Sequence, residues 1–69
     1  MTVGEWIRRV REGKGLSQAD LALKLGVSHA AVSRWETGDR QPPAMVVMLM
    51  EQWFGVTYLE GNGEADDDG

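Results

Sequence analysis

Two short helical patterns meet at Gly26 with almost no linker between them, and that joint limits the folding choices of the chain more than any other feature. On one side, Ser17 and Asp20 give a helix-start signal, followed by an apolar stripe of Leu21, Ala22 and Leu25. On the other, Ser28 can cap a new helix that turns Val32 and Trp35 inward. Gly26 makes the bend, because only glycine enters a left-handed turn cheaply. Val27 plugs the turn. A joint this tight forces both helices to share one core, and small Ala22 lets them approach each other. The second helix of the pair is then projected outward with its polar face open.

The flanking sequence reads as further helices. Thr2 and Glu5 form a capping-box pattern, and Val3, Ile7 and Val10 follow at helical spacing with Trp6 beside them. Gly13 and Gly15 end that helix. Gly38 ends the helix that begins near Ser28, and Pro42 and Pro43 start a fourth, which runs to about Phe54 before Gly55. Thr57 can cap one last short turn through Tyr58 and Leu59. No stretch alternates with the period of a strand, and no internal repeat is present. The expected fold is all-α: a compact bundle of four to five short helices over residues 1–60. Residues 61–69 are glycine-rich and acidic, and are expected to form a disordered tail. A chain of 69 residues buries only a modest core, so it depends on well-made local structure or on a partner chain.

Composition removes several function classes. Cysteine is absent, so there is no disulfide framework and no thiolate metal site. His29 is the only histidine, so no metal is expected at it, and no cofactor is expected either. There is no phosphate-cradling glycine loop and no paired-carboxylate site on a rigid scaffold, which makes an enzyme the weakest reading. The longest apolar run, Ala44 to Met50, is too short to span a bilayer. Glu5 and the Arg8-Arg9 pair interrupt anything resembling a secretory leader, so a cytoplasmic protein is expected. The net charge of −4 hides an asymmetry. All seven basic side chains lie in the first 40 positions beside five acids, whereas six acids and no base follow. The part that holds the helix pair is therefore mildly basic.

Leu16-Ser17-Gln18, Leu21-Ala22, Leu25-Gly26-Val27-Ser28 and Val32-Ser33-Arg34-Trp35-Glu36-Thr37-Gly38, with Gly55-Val56 and Tyr58-Leu59 after them, resemble the helix-turn-helix domains of phage repressors, Cro-like proteins and related (Xre-type) bacterial regulators. The resemblance covers roughly residues 4–60. It implies a sequence-specific regulator of transcription, expected to be a repressor, in a bacterial or phage-infected cell. Its recognition helix, about residues 28–37, would enter the major groove of double-stranded DNA. Carried over by position, His29, Ala30, Ser33 and Arg34 are the candidates to read bases. Gln18, Lys24, Ser28, Thr37 and Arg40 are candidates to hold phosphates. Arg34 is the strongest reader, since a guanidinium can bond guanine bidentately. Arg11 and Glu36 fall where the family often places a partly buried ion pair between its first and third helices. Trp35, Trp6 and Trp53 are expected to pack and not to stack on bases.

The fourth helix departs from the family pattern, since Ala44 to Met50 is apolar on every face. Spacing allows Met45, Leu49 and Trp53 to face the core. Val46, Val47, Met50 and Phe54 would then be left over as a homodimer interface, on a pseudo-palindromic operator. The competing reading is a protein-interaction module, such as an antitoxin or anti-regulator, that grips its partner through helix 44–54.

Overall fold

The structure, a computed structural model, describes residues 1–58. The expected tail at 61–69, and Leu59 in the expected last turn, lie outside the described residues. Four helices follow one another: α1 (Val3–Gly13), α2 (Gln18–Leu25), α3 (His29–Thr37) and α4 (Ala44–Phe54). The fold is all-α, and residues 56–58 continue from α4 without helix.

Three of the helix starts are fixed by the side chains that the sequence nominates. Thr2 accepts from the Glu5 amide while Glu5 reaches back to the Thr2 amide, both at 3.1 Å. Ser17 and Asp20 make the same reciprocal pair at 2.9 and 3.0 Å. Ser28 accepts from the Ala31 amide at 3.0 Å. Each cap satisfies amide donors that a helix start otherwise leaves without partners. The joint is closed by Gly26 at φ 75°, where the Val27 amide bonds back to the Ala22 carbonyl at 3.0 Å. That bond spans six residues and requires the left-handed glycine between its ends.

Each helix gives two side chains to one buried cluster: Trp6 and Ile7, Leu21 and Ala22, Val32 and Trp35, Val46 and Met50. α3 lies against both α1 and α2. Leu25 and Val27 pack on the cluster from its edge and are partly buried. Trp6 also meets the Tyr58 ring, centroid to centroid at 5.2 Å, which folds the chain after α4 back onto α1.

α1 approaches the end of α3 through Gly4. A Cβ there would stand 2.1 Å from the Trp35 carbonyl oxygen and 3.1 Å from that of Glu36. Both obstacles are backbone, so neither can rotate away. Gly4→Ala is therefore expected to destabilise the domain by about 1–3 kcal/mol in chemical denaturation, although alanine is the better helix former. A variant as stable as the parent would show that the two helices do not meet this closely.

The fourth helix corrects the expected register. Val46 and Met50 are in the core, and Val47 and Phe54 pack against it partly buried. These are the four residues assigned to an outward interface. Met45 and Trp53, assigned to the core, are instead 62% and 40% exposed, and Met48 is 54% exposed. Hydrophobic spacing cannot choose between two apolar stripes on one helix. Gln52 could have chosen: one turn beyond Met48 and two beyond Met45, it marks their side as the wet one, and it is exposed.

Candidate nucleic-acid interface

Gly4, Ile7 and Arg11 share one face of α1 and are all buried. The stripe ends in a charge, and α3 supplies its partner. Arg11 Nε donates to Glu36 Oε2 at 2.7 Å and Nη2 donates to Oε1 at 3.0 Å, a two-point pairing. Arg11 Nη1 donates to the Leu16 carbonyl at 2.8 Å, tying down the chain between α1 and α2. The Glu36 side chain is only 4% exposed. Burial alone pushes its carboxyl up. The hydrogen bonds from Arg11 and Gln18 and the charge of Arg11, with a smaller effect of Arg8, outweigh that and hold it below its ordinary value of 4.5. Arg11 is in turn held more firmly protonated, chiefly by its hydrogen bond to Glu36.

The network continues to the molecular surface. Gln18, the first residue of α2, donates through Nε2 to Glu36 Oε1 at 3.0 Å. Its Oε1 meets His29 Nε2, on the first residue of α3, at 2.9 Å. Arg11, Glu36, Gln18 and His29 thus connect α1, α2 and both ends of α3. The sequence nominated the Arg11–Glu36 pairing but not the extension through Gln18. The available signal was that a tight helix joint brings the starts of α2 and α3 near each other, and a glutamine amide can both donate and accept.

On α3, Val32 and Trp35 are buried, and the opposite side carries His29, Ala30, Arg34 and Thr37 exposed with Ser33 half-buried between them. All four base-reading candidates thus share a single face. The Arg34 guanidinium makes no hydrogen bond or ion pair among the described residues and is open to solvent. Arg40, just beyond α3, is likewise exposed without a side-chain partner among them.

The other phosphate candidates are partly committed. Ser28 uses an oxygen lone pair as a cap and keeps its hydroxyl proton to give. Gln18 keeps one N–H. Thr37 Oγ1 donates to the Arg34 carbonyl at 3.2 Å, so it serves a phosphate only after rotating. Lys24 Nζ sits 4.9 Å from the centre of the exposed Trp53 ring, a cation–π contact that links α2 to α4. Among the described residues no cluster of ligating side chains suits a metal ion, and no helix is long and apolar enough to cross a membrane.

Two helices locked at a glycine joint, the second with a buried apolar side and an open polar one, define a helix-turn-helix domain. The sequence profile of the helix-turn-helix family matches residues 7–60, and the chain belongs to that family. It is similar to the HTH-type transcriptional activator BcrR of Enterococcus faecalis, 37% identical over 60 residues that make up 87% of this chain and 29% of that protein. It is also similar to the HTH-type transcriptional regulator DicA of Escherichia coli, 45% identical over 42 residues, which cover 61% of this chain and 31% of that protein. A third relative, the HTH-type transcriptional regulator y4dJ of Sinorhizobium fredii, is 33% identical over 58 residues, 84% of this chain and 75% of that protein. The chain spans about a third of the length of the first two. No solved structure matches it.

Proposed function

We propose that this domain is a sequence-specific DNA-binding regulator of transcription that lays α3 in the major groove and acts as a homodimer on a pseudo-palindromic operator. The observation that carries the reading is the outer face of α3, where Arg34 projects with its guanidinium uncommitted beside His29, Ala30 and Ser33. Arg34 offers a forked pair of donors to the guanine edge, and Ala30 a methyl to a thymine methyl. Arg40, Ser28 and the free N–H of Gln18 supply backbone contacts, which give affinity and salt dependence but no sequence preference. Repression follows from occupancy, since a bound dimer excludes polymerase from overlapping DNA.

The test is selection from a randomised DNA pool by the full chain at two salt concentrations. An enriched inverted repeat with half-sites about 34 Å apart, bound more weakly at high salt, is expected. No enrichment at either salt overturns the reading. Arg34→Ala should weaken binding to the selected site by about 1–3 kcal/mol, roughly 5- to 150-fold, and relax the preference at one position of each half-site. Unchanged affinity and selectivity would remove Arg34 as a reader.

With the register of α4 corrected, the dimer surface we propose is the exposed side bearing Met45, Met48 and Trp53. Met48→Glu should turn a dimer into a folded monomer in sedimentation equilibrium. A parent chain that stays monomeric at high concentration rules the dimer out. The same exposed side, together with exposed Leu23, supports the second reading, a docking surface for a different protein. A tight heteromeric complex without DNA selection would favour it.

A further inference from the structure

Hydrogen-bond polarity is forced at each step from the core to the tip of α3. Both Glu36 oxygens are engaged by Arg11, and an ionised carboxylate only accepts. The Gln18 amide must therefore face it with Nε2–H, because a flipped amide would set two acceptors together. That turns Gln18 Oε1 towards His29. A carbonyl oxygen also only accepts, so His29 Nε2 carries the hydrogen. In a neutral imidazole the second nitrogen is then a bare acceptor. His29 is exposed, and its Nδ1 has no hydrogen-bond partner among the described residues.

From this chain of contacts we infer that His29 reads an exocyclic base amine, cytosine N4 or adenine N6, through Nδ1, and that Gln18 is the positioning residue that fixes the ring and its tautomer. Of the four bases, only cytosine and adenine offer a hydrogen-bond donor to the major groove, whereas guanine and thymine offer acceptors there. The arrangement therefore selects against guanine and thymine at the contacted position as well as for the amine. It rests on the DNA-reading proposal and adds the chemical identity of one contacted group.

Two measurements on the full chain test it. In the free protein, long-range 15N–1H NMR of the His29 ring should show the hydrogen on Nε2. A neutral ring with its hydrogen on Nδ1 overturns the inference without reference to DNA. On selected DNA, one half-site position should favour cytosine or adenine. At that position, purine in place of adenine, or 2-pyrimidinone in place of cytosine, deletes only the amine. This should weaken wild-type binding roughly three- to tenfold, the worth of one hydrogen bond, and leave His29→Ala binding unchanged. Gln18→Met loses its own backbone contact and should therefore weaken binding to every sequence, but it should in addition blunt the preference at that single position. An even loss with the preference intact would make Gln18 a phosphate and structural contact only and overturn its positioning role. If the wild type enriches DNA but prefers guanine or thymine there, or if His29→Ala is equally sensitive to amine deletion, the inference alone fails. If the wild type enriches nothing, the DNA-reading proposal fails and takes this one with it.

Discussion

Arg11→Ala is expected to destabilise the domain by about 3–5 kcal/mol, read as a lower midpoint in urea or thermal unfolding. The lost attraction is the smaller part of the effect. Removing the guanidinium leaves Glu36, whose side chain is 4% exposed, as a buried carboxylate with only Gln18 to satisfy it. The Leu16 carbonyl loses its donor as well. A domain of this size is expected toward the low end of the usual ~5–15 kcal/mol, so a loss of that size removes most of its margin against unfolding. An Arg11→Met, Glu36→Leu double variant separates the two contributions. Apolar side chains of similar volume remove both charges together, and such pairs commonly recover or exceed parental stability. Arg11→Ala within about 1 kcal/mol of the parent would mean that the pair is wetter than the structure has it.

The same pair sets the response to acid. The Glu36 carboxyl is depressed in the folded protein, so its contribution is complete above the unfolded value near 4.5 and is lost as pH falls through the folded one. Asp20 acts in the same direction, held down first by the Ser17 backbone amide and then by the Ser17 side chain. The parent should lose stability below about pH 4.5, and Glu36→Gln should be less stable at neutral pH but flatter across that window. Parallel pH profiles for the two proteins would assign the acid response elsewhere.

Much of this molecule is legible in its sequence because its signals are local. Ser17 with Asp20, Thr2 with Glu5, and Gly26 act over three or four residues, so their types alone locate the helix ends. The outer face of α3 is legible for a related reason. Buried Val32 and Trp35 fix one side, and helical periodicity assigns His29, Ala30, Ser33, Arg34 and Thr37 to the other. The rest depends on where separate elements cross. Gly4 stands second in α1, where an isolated helix gains nothing from glycine, and its reason emerges only when the Trp35 carbonyl lies against it. Gln18 looks like a surface amide until Glu36 and His29 are brought to its two ends. α4 fails differently, since two of its sides are apolar and local pattern has no means of ranking them.

Met50→Ala against Met45→Ala therefore settles the orientation of α4. Met50 is 0% exposed within a cluster that also holds Ile7, Leu21, Val32 and Val46. Three of those neighbours are β-branched and stiff at χ1, so they cannot swing in to fill the space a deleted side chain leaves. The expected cost is about 2–5 kcal/mol in chemical denaturation, made up of lost transfer energy and a residual cavity. Met45, 62% exposed one turn earlier but on the other side, should change stability by no more than about 0.5 kcal/mol when truncated. The proposed dimer bears on the comparison, because a variant that weakens a dimer also lowers apparent stability by an amount that depends on protein concentration. Repeating both measurements over a hundredfold range of concentration removes that ambiguity. The Met50→Ala deficit should persist unchanged at every concentration, since it belongs to the fold of one chain, whereas any deficit of Met45→Ala should vary with concentration. A Met45 variant that is the more damaged of the two at every concentration would turn α4 back by half a turn and return Val46, Val47, Met50 and Phe54 to the surface.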